Sequence, residues 1–130
     1  MTPPSTLPAL AAVFLGGGAG SVMRYLVGRF GTTLTGPSFP AATLAINVSG
    51  SLLMGILAGW LMAHPRIGPT VGLLLTTGMM GGYTTYSTFA LDTAMLVNRG
   101  SSSLAAFYVA GTLAGGLAGV FGGLGLARLA

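Results

Sequence analysis

Between Gly78 and Phe89 the chain reads Gly-Met-Met-Gly-Gly-Tyr-Thr-Thr-Tyr-Ser-Thr-Phe. These residue types, in this order, suit the handling of ions. Three glycines (Gly78, Gly81, Gly82) weaken the helix in the middle of a long apolar segment. Four hydroxyl residues, Thr84, Thr85, Ser87 and Thr88, follow at once. Unwound backbone inside a bilayer leaves N–H and C=O groups without partners, at a cost of several kcal/mol each. Such a break is tolerated where protein covers it or where it lines a wet path, and broken membrane helices set carbonyls and helix ends around ions. The stretch therefore reads as an ion-handling centre with its break near residues 81–86.

Individual residues admit a bland and a sharp reading. Gly81 to Thr84 is either a flexible kink or unwound backbone whose carbonyls hold a cation such as sodium. Tyr86 and Phe89, at i and i+3, either pack or offer an anion their partially positive ring edges. Asn47 shares one helix face with Thr43 and Ser51 at four-residue spacing. A mid-span amide is costly unless paired, so it serves as helix–helix glue or as pore lining. Asp92, the one acid of the chain, reads as an interfacial group beside Arg99, and it is the sole candidate for a proton-relay carboxylate. Tyr108 and Thr112 form a further polar row at i and i+4. His64, next to Pro65, reads as a solvated loop residue. No metal cluster, nucleophile triad or phosphate loop is present, so the chain is not expected to be an enzyme.

The elements that must position these residues follow from composition. Of 130 residues, 52% are hydrophobic and 5% charged, against roughly 25% charged in a soluble domain. The mean hydropathy is +0.84. A membrane helix needs about 20 apolar residues, so the chain holds four spans in a single domain over 1–130, with no soluble domain left over. The expected spans are about 9–27, 41–62, 69–97 and 104–126. Met1 to Pro8 is a proline-containing tail, and Gly31 to Pro40 a polar connection. The third stretch, as one helix, would be about 43 Å long against a hydrocarbon core of about 30 Å, which suits two half-helices with a break between them. The first span lacks a basic leader region and is too long for a signal peptide. Small-residue pairs, Gly16 with Gly20 and Gly55 with Gly59, and the ridge Gly111, Gly115, Gly119, Gly123 mark close helix packing.

The charge is +4, carried by five arginines and no lysine. They lie singly near segment ends, as interfacial anchors do, and form no nucleic-acid patch. Without cysteine there is no disulfide or thiolate chemistry. With four spans, Arg66 and Arg128 fall on one side and Arg24, Arg29 and Arg99 on the other. Two against three is almost no bias under the positive-inside rule. A chain without bias inserts both ways, and two such copies can pair antiparallel.

Taken together, these residues resemble the Fluc (CrcB) family of fluoride channels over nearly the whole chain. The resemblance is carried by Gly-Gly-Gly-Ala-Gly-Ser-Val-Met-Arg-Tyr at 16–25, Thr-Leu-Ala-Ile-Asn-Val-Ser-Gly-Ser at 43–51, Gly-Gly-Tyr-Thr-Thr-Tyr-Ser-Thr-Phe at 81–89, and Tyr108 with Thr112. It implies an all-α membrane protein of four transmembrane helices, the third broken mid-membrane, in an antiparallel dual-topology homodimer with two pores. It implies a central structural sodium ion, not transported, held by the backbone carbonyls of Gly81 and Thr84. Asn47 matches the pore asparagine and Phe89 the second phenylalanine of an aromatic box. Tyr86 stands where the family usually has phenylalanine, and its phenol adds an O–H donor. Thr43, Ser87, Thr88, Tyr108 and Thr112 match polar residues near the pores, and Asp92 an acidic position at a pore mouth.

The reading is a passive fluoride-selective channel that exports fluoride and lowers its toxicity. Its setting is the lipid bilayer of a bacterial or archaeal inner membrane, its partners are fluoride and a second copy, and no nucleic acid is involved. Two alternatives are weighed against it. A small dual-topology drug exporter would need a carboxylate in its first span, which is absent. A non-transporting membrane assembly protein accounts poorly for the polar rows and the broken third span.

Overall fold

A computed structural model describes residues 5–36 and 38–129. Residues 1–4 of the expected tail and Pro37 of the expected connection lie outside the described residues. The described residues form helices and no strand. In chain order these are α1 (Thr6–Thr35), α2 (Ala41–Ala63), α3 (Pro69–Leu73), a π-helical segment (Leu74–Met80), α4 (Gly81–Tyr83), α5 (Tyr86–Asn98) and α6 (Ser102–Ala127). Among the described residues, three helices, α1, α2 and α6, are long and apolar enough to cross a membrane.

The first helix is longer than its expected 9–27. It runs 30 residues, about 45 Å at 1.5 Å per residue, and takes in the first part of the expected Gly31–Pro40 connection. The polar residues that suggested a loop bond back into the helix instead. Thr32 Oγ1 donates to the Gly28 carbonyl at 2.6 Å and Thr33 Oγ1 to the Arg29 carbonyl at 2.9 Å. The helix ends at Gly36, whose φ of 73° is the left-handed geometry that favours glycine. Its N–H reaches the Thr32 carbonyl at 3.1 Å.

The glycines place backbones against one another. Along α6, a Cβ at Gly115 would lie 2.8 Å from Val48 Cγ2, and one at Gly119 3.1 Å from both Leu52 N and Val48 O. The ridge of α6 is thus seated on α2. Across the molecule, α1 lies on the third stretch. A Cβ at Gly16 would meet the Leu74 carbonyl and Met79 N, and one at Gly20 the Met79 carbonyl and Tyr83 N. This contact falls on the π-helical segment, a form that is rare and frequent at functional sites. Gly78, Gly81 and Gly82 therefore do not unwind the chain. They stay in helical geometry, and Gly82 sits against the Gly17 backbone. Helical geometry stops later, at Thr84 (φ −78°, ψ 158°) and Thr85 (φ −150°, ψ 114°).

Two buried clusters flank this interruption. One is Phe89, Leu96, Ala105 and Tyr108, backed by Phe39, Leu44 and Val109. The other is Ile46, Met80 and Tyr83, backed by Met54, Leu57 and Met79.

Candidate functional site

Ending a helix inside an apolar setting leaves backbone groups to satisfy, and three side chains take them at Thr84–Thr85. Asn47, on α2, faces Thr85. Its Oδ1 accepts from Thr85 N–H at 2.8 Å, and its Nδ2 donates to the Thr85 carbonyl at 3.0 Å. Thr85 then caps α5: its Oγ1 accepts from Thr88 N–H at 3.2 Å, as an N-cap hydroxyl does. The Thr84 hydroxyl donates back to the Met80 carbonyl at 3.0 Å. On the far side of α4, Tyr83 OH and Ser49 Oγ are 3.1 Å apart and anchor it to α2.

These bonds bear on the expected sodium carbonyls. In a continuous helix the Gly81 carbonyl would take Thr85 N–H, and the Thr84 carbonyl would take Thr88 N–H. Both donors are spent on side chains, Asn47 Oδ1 and Thr85 Oγ1. The Thr84 hydroxyl donates its hydrogen to the Met80 carbonyl. Hard carbonyl oxygens relieved of their helical donors fit an alkali cation.

The expected pore residues divide among three hollows. Asn47, Tyr86, Phe89 and Thr112 share a groove of about 400 Å³, bordered also by Thr84 and Thr85. Thr112 Oγ1 is buried there with no hydrogen-bond partner among the described residues. Thr43 and Thr88 line a hollow of about 330 Å³ on the other side of Thr85, together with Arg24 and Tyr25 of α1. Asp92 lines a third hollow, also about 330 Å³, with Thr43, Phe39 and Arg99. Ser87 and Tyr108 line none of the three, and the Ser87 Oγ lies 3.3 Å from Thr85 Oγ1.

A row of rings connects the first groove with the third hollow. Tyr86 and Phe89 have centroids 5.7 Å apart, Phe89 and Tyr108 5.4 Å, and Tyr108 and Phe39 5.7 Å at 86°. Tyr108 is fully buried, with 0% exposure, whereas Tyr86 is 79% exposed at the groove. The Tyr108 hydroxyl donates to Asp92 Oδ2 at 3.2 Å.

Sequence reasoning missed three participants. Thr85, at the centre of the network, was read only as one hydroxyl among four. A helix restarting after a break needs an N-cap, and that requirement singles out the threonine before Tyr86. Arg24 was read as an interfacial anchor, but it lines the hollow beside Thr85 and Thr88. Phe39 sits in the expected connection and carries no periodic signal.

Comparison with known proteins covers nearly all of these elements. The family model described as CrcB-like protein, Camphor Resistance (CrcB), matches residues 11–124. A protein of Novosphingobium aromaticivorans is 50% identical over 124 residues, spanning 94% of this chain and 98% of its own. One from Methylobacterium sp. strain 4-46 is 52% identical over 108 residues, 83% of this chain and 86% of its own. A third, from Chlorobaculum tepidum, is 46% identical over 114 residues, 88% of this chain and 90% of its own. Each of the three bears the name fluoride-specific ion channel FluC.

Proposed function

The chain belongs to the CrcB-like family, and from that premise we propose that it is a passive, fluoride-specific ion channel and no enzyme. The observation that carries the reading is 50% identity to a fluoride-specific channel across 94% of the chain, the interruption and both polar rows included. The site chemistry agrees with it. The groove offers a spare Asn47 N–H, the unpartnered Thr112 hydroxyl and the rings of Tyr86 and Phe89. These are neutral donors and ring edges, which suit a small anion that must enter and leave readily.

The protein is a multi-pass membrane protein whose physiological role is protective. Fluoride enters a cell as neutral hydrofluoric acid and is trapped inside as the anion. A passive pore in the inner membrane lets it out, helped by an inside-negative potential at about 2.3 kcal/mol per charge per 100 mV. No nucleotide or proton coupling is required.

The finer architecture belongs to the same proposal. The interrupted stretch from Pro69 to Asn98 is taken as the third of four crossings, broken at Thr84–Thr85. Two chains pair antiparallel and form two pores. A sodium ion that is not transported binds the Gly81 and Thr84 carbonyls of both copies, and its charge lowers the cost of an anion nearby. Gly81 is exposed on the single chain, which leaves room for a second copy there.

Fluoride efflux from liposomes that contain only this protein, with a potassium ionophore clamping the voltage, tests the function. Fluoride release without chloride release is expected. Equal release of both would overturn it.

A further inference from the structure

Asn47 makes both of its contacts to one residue. Thr85 is buried and extended, and its N–H and C=O both close on the Asn47 amide, at 2.8 and 3.0 Å. A carboxamide carries an acceptor and a donor at the spacing of a peptide group. It therefore completes the pair that a neighbouring strand would otherwise supply. The hydrogen bond lost to this pairing is the one from Thr85 N–H to the Gly81 carbonyl.

We infer that Asn47 is the positioning residue of the break: its amide holds Thr85 extended and so leaves the Gly81 carbonyl available to a cation. The inference rests on the sodium reading above and ties an asparagine of the anion groove to the cation site. Asn47 keeps one N–H for the groove, so it serves both places at once. Its influence on sodium then goes through the Thr85 backbone and not through direct ligation.

Aspartate at this position separates the two roles. Ionised, it has acceptors only and repels the Thr85 carbonyl; protonated, it has one donor and one acceptor, as asparagine has. The titratable groups around it are Tyr86 across the groove, Tyr83 against Ile46 and Ser49 of α2, Arg24 and Tyr25 behind Thr85, and Asp92 with Tyr108 further along α5 and α6.

The experiment compares wild-type protein with Asn47→Ala and Asn47→Asp, as full chains in detergent and in liposomes. Three quantities are read: exchange of the Thr85 amide hydrogen, sodium retained per chain after exhaustive dialysis into a large organic cation, and fluoride efflux. In Asn47→Ala, Thr85 exchange is expected to rise at least tenfold and retained sodium to fall at least tenfold, together with efflux. Asn47→Asp should match it near neutral pH and regain Thr85 protection and sodium in mild acid. This reversal is read on one folded sample, so it holds even where Asn47→Ala fails to fold. Loss of efflux with wild-type sodium and wild-type Thr85 exchange would overturn the inference, because Asn47 would then act on the anion alone. Wild-type protein that retains no sodium would sink the sodium reading itself, and the Thr85 exchange rates would then decide whether the clamp exists.

Discussion

Phe89 and Tyr108 lie ring against ring, 5.4 Å between centroids, and the hydroxyl of Tyr108 ends on Asp92 at 3.2 Å. A residue from α5 and one from α6 thereby join the aromatic row to the one acid of the chain. Rings meeting at 5–6 Å with interplanar angles near 45° present edges as well as faces. On the function proposed above, an anion beside these rings would meet positive edge density rather than a full positive charge. A fixed cation at the same place would hold the anion too tightly to release it.

Phe89→Ile keeps an apolar side chain and removes the ring shared by Tyr86 and Tyr108. Fluoride efflux is expected to fall at least tenfold while the protein still elutes as an assembled species. Tyr86→Phe keeps the ring of the 5.7 Å pair and loses only the hydroxyl, so efflux should stay within twofold of wild type. Full efflux through Phe89→Ile would remove the ring-edge mechanism.

Tyr108→Phe takes the hydroxyl from Asp92 Oδ2. A buried acceptor that loses its donor costs about 1–3 kcal/mol, and Asp92 is half-buried, so the lower end applies. The carboxylate loses a hydrogen-bond donor that offsets part of its charge beside the proposed anion path, and efflux should drop severalfold. Asp92→Asn in the same background removes that charge and should restore much of the loss. A double-mutant cycle on efflux measures the coupling; additive effects would mean that the hydroxyl and the carboxylate act separately.

Glycine positions separate by what lies over them. A Cβ at Gly82 would fall 3.0 Å from Gly17 Cα and 3.1 Å from Gly17 C, both main-chain atoms, whereas Gly125 has open space. Gly82→Val is expected to abolish monodisperse protein in detergent, and Gly125→Val to leave elution and melting temperature close to wild type. Equal behaviour of the two variants would contradict the helix contact described here.

Much of this was legible before the fold was known, and the exceptions have physical causes. The ridge from Gly111 to Gly123 announced its contact because four-residue spacing of small residues has one common use. The interruption was legible as a cluster of glycine and hydroxyl residues, and Thr84–Thr85 falls within the expected 81–86, but the part the glycines play was not. The glycines are used for the contact with α1, and the chain leaves helical geometry only at Thr84. The partner of that step, Asn47, is 38 residues away in sequence, and a long-range hydrogen bond leaves no local pattern. The overlong first helix was hidden because Thr32 and Thr33 look like loop residues until their hydroxyls fold back on the helix.

The arginines yield the last expectation. With the interrupted stretch counted as a crossing, Arg66 and Arg128 lie on one side of the membrane, and Arg24, Arg29 and Arg99 on the other. Arg24, however, lines the hollow shared by Thr85 and Thr88 rather than a loop. Only charges near span ends in short loops steer insertion, so Arg24 leaves the count and the balance becomes two against two. The translocation machinery then has no charge difference to read, and each new chain should insert either way. Reporter fusions at the C-terminus, one active only inside and one only outside, should both give substantial signal. Introducing two lysines in the loop around His64 tips the balance to four against two and should drive one orientation. If the antiparallel pairing holds, that variant should lose dimer and efflux together and regain both when co-expressed with a copy biased the opposite way. A wild-type chain found in a single orientation would rule out dual insertion.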